Sequence, residues 1–128
     1  MIQTQDISLS HEGVLLHVRD IVASIKFYSA LPGATVDGDA QGQFARLKIG
    51  DGILNLVEMN TPMRVILEFD STDVGATYDQ LIAAGLRPGF PRRQSRGQTG
   101  VRLLDPDGNV IEIGSKSQPA ALAKHDSN

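Results

Sequence analysis

The chain contains no cysteine and no tryptophan, and it has only four phenylalanines and two tyrosines. Without cysteine there is no disulfide, no thiolate metal site and no cysteine nucleophile. So few aromatics argue against a broad stacking platform for bases or other planar ligands. No apolar run approaches the roughly 20 residues that span a bilayer, and no signal-peptide core follows Met1. Positive charge is not in excess either. The formal net charge is −3, which offers neither a nucleic-acid footprint nor a polybasic membrane patch. What remains is an ordinary globular composition, 41% hydrophobic and 21% charged over 128 residues, enough for one domain with a real core. The expectation is a cytoplasmic protein that engages neither nucleic acid nor membrane.

What is present repeats. Residues 13–33, GVLLHVRDIVASIKFYSALPG, and residues 65–85, VILEFDSTDVGATYDQLIAAG, share one plan. Each opens with alternating apolar residues, reaches an aspartate, continues with helical periodicity and stops at glycine. Asp20 and Asp73, 53 positions apart, stand where helix N-caps belong and can accept hydrogen bonds from unpaired amides. Val22, Ile25 and Leu31, with Phe27 and Tyr28 beside them, make one apolar helix stripe; Val74, Tyr78, Leu81 and Ile82 make the other. After the first helix, QFARLKIG and GILNLVEM are joined through GDG, a hairpin signal. After the second, GVRLLDPDGNVIEIG turns at DPDG, where Pro106 sets φ and Gly108 is free to take a positive one. A weaker strand is expected between Leu86 and Phe90. The fold class is α+β, with two copies in one pseudo-symmetric domain, because neither copy could bury its sheet alone. The domain is expected over residues 11–114, with modules at about 11–60 and 63–114. Residues 1–10 read as an N-terminal arm and 115–128 as a polar tail.

The combination of RDIVASIKFYSALPGA early and LLDPDGNVIEI late resembles the vicinal oxygen chelate superfamily. That family holds glyoxalase I, extradiol dioxygenases, fosfomycin-resistance proteins and bleomycin-resistance proteins. The resemblance implies two βαβββ modules forming a cupped mixed sheet around a central cavity, with helices on the outer face. It also implies a homodimer. Pro32 stands where the family usually carries leucine, so the end of the first helix is expected to tighten or shorten.

In metal-dependent relatives, ligands come from four positions. The first, seven residues before the capping aspartate, is Gly13 here; the second, in the strand after GDG, is Asn55. The third, seven before the second capping aspartate, is Ile66, and the fourth is Glu112. One carboxylate falls far short of a protein ligand set. A displaced set built from His17, Glu68 and Glu112, with His11 and Glu58 nearby, requires the strands to slip, and a slip of one residue turns a side chain to the opposite face. The resemblance therefore points to the metal-independent, bleomycin-resistance-like members, with no metal and no cofactor.

Strand alternation assigns the faces without help from the family. Val14, Leu16 and Val18 oppose Leu15 and His17; Val65, Leu67 and Phe69 oppose Ile66 and Glu68. Val101 and Leu103 oppose Arg102, and Ile111 and Ile113 oppose Glu112. The cavity face then carries His17, Asn55, Glu68, Arg102 and Glu112. Glu112 interrupts an apolar strand, and its expected neighbour is Arg102 on the adjacent strand. Two compatible readings stand, a structural ion pair that keeps the carboxylate satisfied, or a carboxylate that receives a ligand or serves as a general base.

Residues 91–100, PRRQSRGQTG, concentrate Arg92, Arg93 and Arg96 in a loop that either contacts an anionic group or is simply solvated. Phe44 and Phe90 are candidate ligand contacts or packing residues. The candidate binding residues are thus His17, Phe44, Asn55, Glu68, Phe90, Arg92, Arg96, Arg102 and Glu112. Any catalysis would rest on Glu112 or Glu68. The favoured function is sequestration of a small drug or metabolite. The alternative is a lyase, isomerase or dioxygenase-like enzyme using Glu112 with a displaced metal or as an acid–base group.

Overall fold

The computed structural model describes residues 8–9, 13–39, 42–61, 63–93 and 99–115. The expected N-terminal arm and polar tail fall almost wholly outside the described residues, as do His11 and Arg96. The first module runs β1 (Val14–Val18), α1 (Ile21–Ser29), β2 (Ala34–Asp39), β3 (Phe44–Ile49) and β4 (Gly52–Glu58). The second runs β5 (Ile66–Ser71), α2 (Val74–Ala83), β6 (Arg92–Arg93), β7 (Thr99–Leu104) and β8 (Val110–Ser115).

Both helices start as the sequence predicts. The Asp20 carboxylate accepts from Ala23 N at 3.1 Å and the Asp73 carboxylate from Ala76 N at 2.9 Å. Glu58 adds a second cap, accepting from Ile21 N at 3.0 Å, which commits it to the α1 N-terminus. The ends differ. After α2, Leu86 N reaches back to Leu81 O while Gly85, at φ 86°, takes the left-handed position. Counted from the helix C-caps, Ala30 and Ala84, the position in α1 that matches Leu86 is Pro32, which has no N–H to give. That helix instead tightens, with Ala30 N bonded to Phe27 O and Leu31 N to Tyr28 O, each three residues back.

Each module forms its own four-stranded sheet, ordered β1-β4-β3-β2 and β5-β8-β7-β6. In both, the first strand runs parallel to the last and the remaining pairs are antiparallel. Among the described residues β1 and β2 are the edges of the first sheet, and β5 and β6 those of the second. One face of each sheet is apolar and covered. Leu16, Val18, Ala45, Leu47, Leu54 and Leu56 meet Ile21, Tyr28 and Leu31; Val101, Leu103, Ile111 and Ile113 meet Leu81. Burying each large aliphatic side chain contributes about 1.5–3 kcal/mol, which is why the alternation fixes which face is left open.

Two strands depart from expectation. β2 forms from ATVDGD, where Thr35 and Val36 carry the only β-branched signal. The strand expected over Leu86–Phe90 is not a ladder strand. Pro88 and Pro91 lack donors, and the segment touches β7 through Gly89 N to Arg102 O at 2.9 Å before the two-residue β6.

The modules are tied at the DPDGN turn. The Asp105 carboxylate accepts from Asp107 N at 2.9 Å, Asn109 N at 2.7 Å and Asn109 Nδ2 at 2.9 Å. It also accepts from Tyr28 OH of α1 at 2.5 Å. Burial, and then the bond to Asp105, push the Tyr28 phenol above its ordinary value. Asn109 Oδ1 receives Val65 N at 2.8 Å, and Asp107 pairs with Arg19 at 3.0 Å. Among the described residues no helix is long and apolar enough to cross a membrane.

Candidate functional site

The open face of the second sheet carries a charged row. In the β5–β8 register Glu68 stands opposite Glu112, and in the β7–β8 register Arg102 stands opposite Glu112. Glu112 is only 6% exposed, although its strand neighbours are apolar. Arg102 Nε donates to Glu112 Oε2 at 2.8 Å, and Nη2 donates to the same oxygen. The guanidinium is itself half-exposed, its side chain 48% accessible. A carboxylate here is tolerable because the desolvation it suffers is offset by this charge-assisted pair.

The matching row of the first sheet is Leu15, Asn55 and Arg46, again in register across β1, β4 and β3. Arg46 pairs with Asp37 of β2 at 3.5 Å. One step along, His17, Val57 and Phe44 form the next row. His17 Nδ1 is buried without a hydrogen-bond partner. The structure thus brings Glu68, Arg102 and Glu112 together on one sheet and His17, Phe44 and Asn55 together on the other. Phe90 stands apart from both groups. It is 80% exposed and stacks on Tyr78 of α2, with centroids 5.9 Å apart. Arg92 lies in β6 opposite Gly100.

Three cavities bear on the chemistry. A groove of about 700 Å³ is lined by Leu31, Ile49, Asp51, Glu68, Phe69 and Asp70, among others. It shares Ile49, Gly52, Glu68 and Phe69 with a cavity of about 320 Å³ that Val14, Ile53 and Ile66 also line. Together they follow β5 where it meets the first module. A third cavity, of about 440 Å³, lies over the β7–β8 hairpin and is lined by Arg87, Arg102, Leu103, Leu104 and Val110. Arg87, Leu104 and Val110 were not candidates from sequence. Arg87 sits in an irregular segment with no periodic mark, and only the even spacing of Arg102 and Leu104 hinted at a shared face.

The four family ligand positions do not assemble a donor set for a divalent ion. At Gly13, φ is 118°, and an added Cβ would run into the Ile53 carbonyl oxygen and lie 2.8 Å from Ile53 Cβ. No side chain fits there. Ile66 has space but nothing to donate. Asn55 is a weak amide donor, and Glu112 is already held by Arg102. Nor do His17, Glu68 and Glu112 of the displaced set converge, His11 lying outside the described residues. Among the described residues no three His, Asp or Glu side chains come together around a possible metal position. Glu58 is spent on the α1 amide.

Comparison with known proteins supplies the family. Comparison with curated protein sequences returns no match. Solved structures share the fold at low identity. Lactoylglutathione lyase from Agrobacterium tumefaciens superposes with a TM-score of 0.69 at 20% identity, covering 85% of this chain and 95% of that one. A bleomycin-binding protein in complex with bleomycin gives 0.66 at 21% identity, covering 85% and 100%. A fosfomycin resistance protein from Listeria monocytogenes, complexed with Mn(II) and a dihydroxypropylphosphonic acid, gives 0.68 at 14% identity, covering 93% and 99%. The sequence profile of the Glyoxalase/Bleomycin resistance protein/Dioxygenase superfamily matches residues 11–113, and the chain belongs to that superfamily.

Proposed function

We propose that this chain is a metal-independent small-molecule-binding protein that holds its ligand on the open sheet faces. The observation that carries the reading is the Arg102–Glu112 pair. The last carboxylate of the family's ligand set is engaged by a guanidinium, and the first ligand position has no room for a side chain. The bleomycin-binding relative supports such a mode at the level of fold. Sequestration of a drug or metabolite in the cytoplasm is the corresponding role. A second copy belongs to the same reading. The edge strands β1 and β5 expose Val14, Leu15 and Ile66, and strand edges of this kind are covered by pairing.

One observation favours an acid–base enzyme instead. Glu68 is exposed and in register with the buried Glu112, two carboxylates in different environments. Elemental analysis followed by a thermal-shift panel of metals, antibiotics and anionic metabolites separates these readings. The expected result is substoichiometric metal and a ligand that raises the melting temperature without turnover. One divalent ion per chain, surviving chelator dialysis and lost in Glu112→Ala, overturns the metal-independent reading. Consumption of the stabilising ligand, abolished by Glu68→Gln, establishes the enzyme. Light scattering reads the dimer.

A further inference from the structure

We infer that the cavity over the β7–β8 hairpin is an anion subsite that takes the carboxylate end of a small organic acid with an apolar body. This inference rests on the reading of the open sheet face as the ligand-binding surface, and it names the ligand class. The cavity, about 440 Å³, lies within the roughly 300–1,000 Å³ typical of small-molecule sites. Among the described residues its lining contains two guanidiniums and no carboxylate, with Leu103, Leu104 and Val110 supplying apolar wall.

Local structure explains how Arg87 arrives there. The left-handed Gly85 turns the chain out of α2, and Gly89 N then bonds Arg102 O at 2.9 Å, so residues 87–89 run beside β7. Among the described residues Arg87 has no carboxylate partner. Arg102 spends Nε and Nη2 on Glu112, which fixes the plane of its guanidinium and leaves the Nη1 edge for a ligand. A guanidinium held by a carboxylate on one side is a preorganised oxyanion receptor on the other. Leu104 beside it is 63% exposed, an apolar surface that a ligand's body would cover.

The groove along β5 has the opposite character. Asp51, Glu68 and Asp70 line it, and among the described residues no lysine, arginine or histidine does. An anion is therefore directed to one cavity and away from the other.

The test is a 1H–15N NMR titration with phenylacetate, with neutral phenylacetamide as control. Saturable shifts are expected at the amides of Arg102, Leu103, Leu104 and Val110. Affinity should fall about tenfold for phenylacetamide and for Arg87→Gln, the loss of one charge-assisted contact. Asp51→Asn, in the opposite groove, should change affinity less than about twofold, within ordinary surface effects. The subsite is overturned if phenylacetate produces no saturable shift at those amides, or if Arg87→Gln or phenylacetamide binds equally well. Failure here with a panel compound that shifts His17 or Asn55 removes the subsite and leaves the binding-protein reading in place. A resident metal removes that reading, and phenylacetate titration of chelator-treated protein still reports on Arg87.

Discussion

The two modules carry the same row of positions on their open faces and fill it differently. In the first, Leu15, Asn55 and Arg46 stand side by side; in the second, Glu68, Glu112 and Arg102 do. Each row ends in an arginine on the third strand of its module. In the first module the arginine turns to Asp37, a partner about as exposed as itself. In the second it turns inward to a carboxylate that is almost fully buried. The ion pair matters in proportion to how dry it is. The family's ligand positions at the start of the two modules, Gly13 and Ile66, also lack a donor for different reasons. Gly13 is closed by backbone packing, whereas Ile66 is open and merely apolar.

The sharpest break in this comparison comes from placing histidine at both first-strand positions. Gly13→His should cost at least about 3 kcal/mol or prevent folding, because it combines a left-handed residue with a clash against backbone. Ile66→His should stay within about 1 kcal/mol, as surface changes do. Urea denaturation midpoints measure both. If Gly13→His folds with ordinary stability, the asymmetry between the first strands is wrong.

The two arginines come next. Arg102→Met strands a buried carboxylate and should cost about 2–3 kcal/mol, discounted from the fully buried case because the guanidinium is half-exposed. Arg46→Met should cost less than about 1 kcal/mol. A double-mutant cycle between Arg102 and Glu112, by thermal denaturation, tests whether the coupling is real.

The core offers a third contrast. Tyr28 in α1 and Leu81 in α2 stand eight residues after their capping aspartates, and both are fully buried. Tyr28 reaches the other module through its hydroxyl, which donates to Asp105, and leucine has no such group. Tyr28→Phe should cost about 2 kcal/mol, the range for a hydrogen bond to a charged group. The pH dependence follows with a definite sign. The folded phenol's pKa lies above the unfolded value of 10.0, so the folded state keeps a proton that the unfolded chain sheds. The contribution is whole below pH 10 and is lost above it, at about 1.4 kcal/mol per pH unit. Denaturation midpoints taken from pH 9 to 11 should fall in the wild type and lose this component in Tyr28→Phe. The smallest effect is the most symmetric. Asp20→Ala and Asp73→Ala should each cost about 1 kcal/mol, and the two helix starts are not equivalent if the costs differ strongly.

Much of this was legible in the chain. The repeat shows in Asp20 and Asp73, and the open faces show in strict alternation, because a strand's side chains have a period of two. The Arg102–Glu112 pairing follows from a hairpin centred on DPDGN, residues 105–109, where positions equidistant from the turn meet. Other features left no periodic trace. Glu58 caps a helix whose sequence lies 37 residues earlier. Arg87 is set beside Leu104 by one backbone hydrogen bond from an irregular segment, and Phe90 found Tyr78 across a loop. Such contacts depend on how elements pack, and no local rule marks them. β2 escaped because Gly38 and Asp39 dilute its two β-branched residues.

The Tyr28–Asp105 bond has a consequence for how the chain can be cut. It joins the first helix of one half to the last turn of the other, far in sequence from the exposed linker at Asn60 and Thr61. A molecule nicked in that linker would therefore keep its halves together through a shared interior and a buried polar clasp. The covalent join is an address label for two partners that already recognise each other.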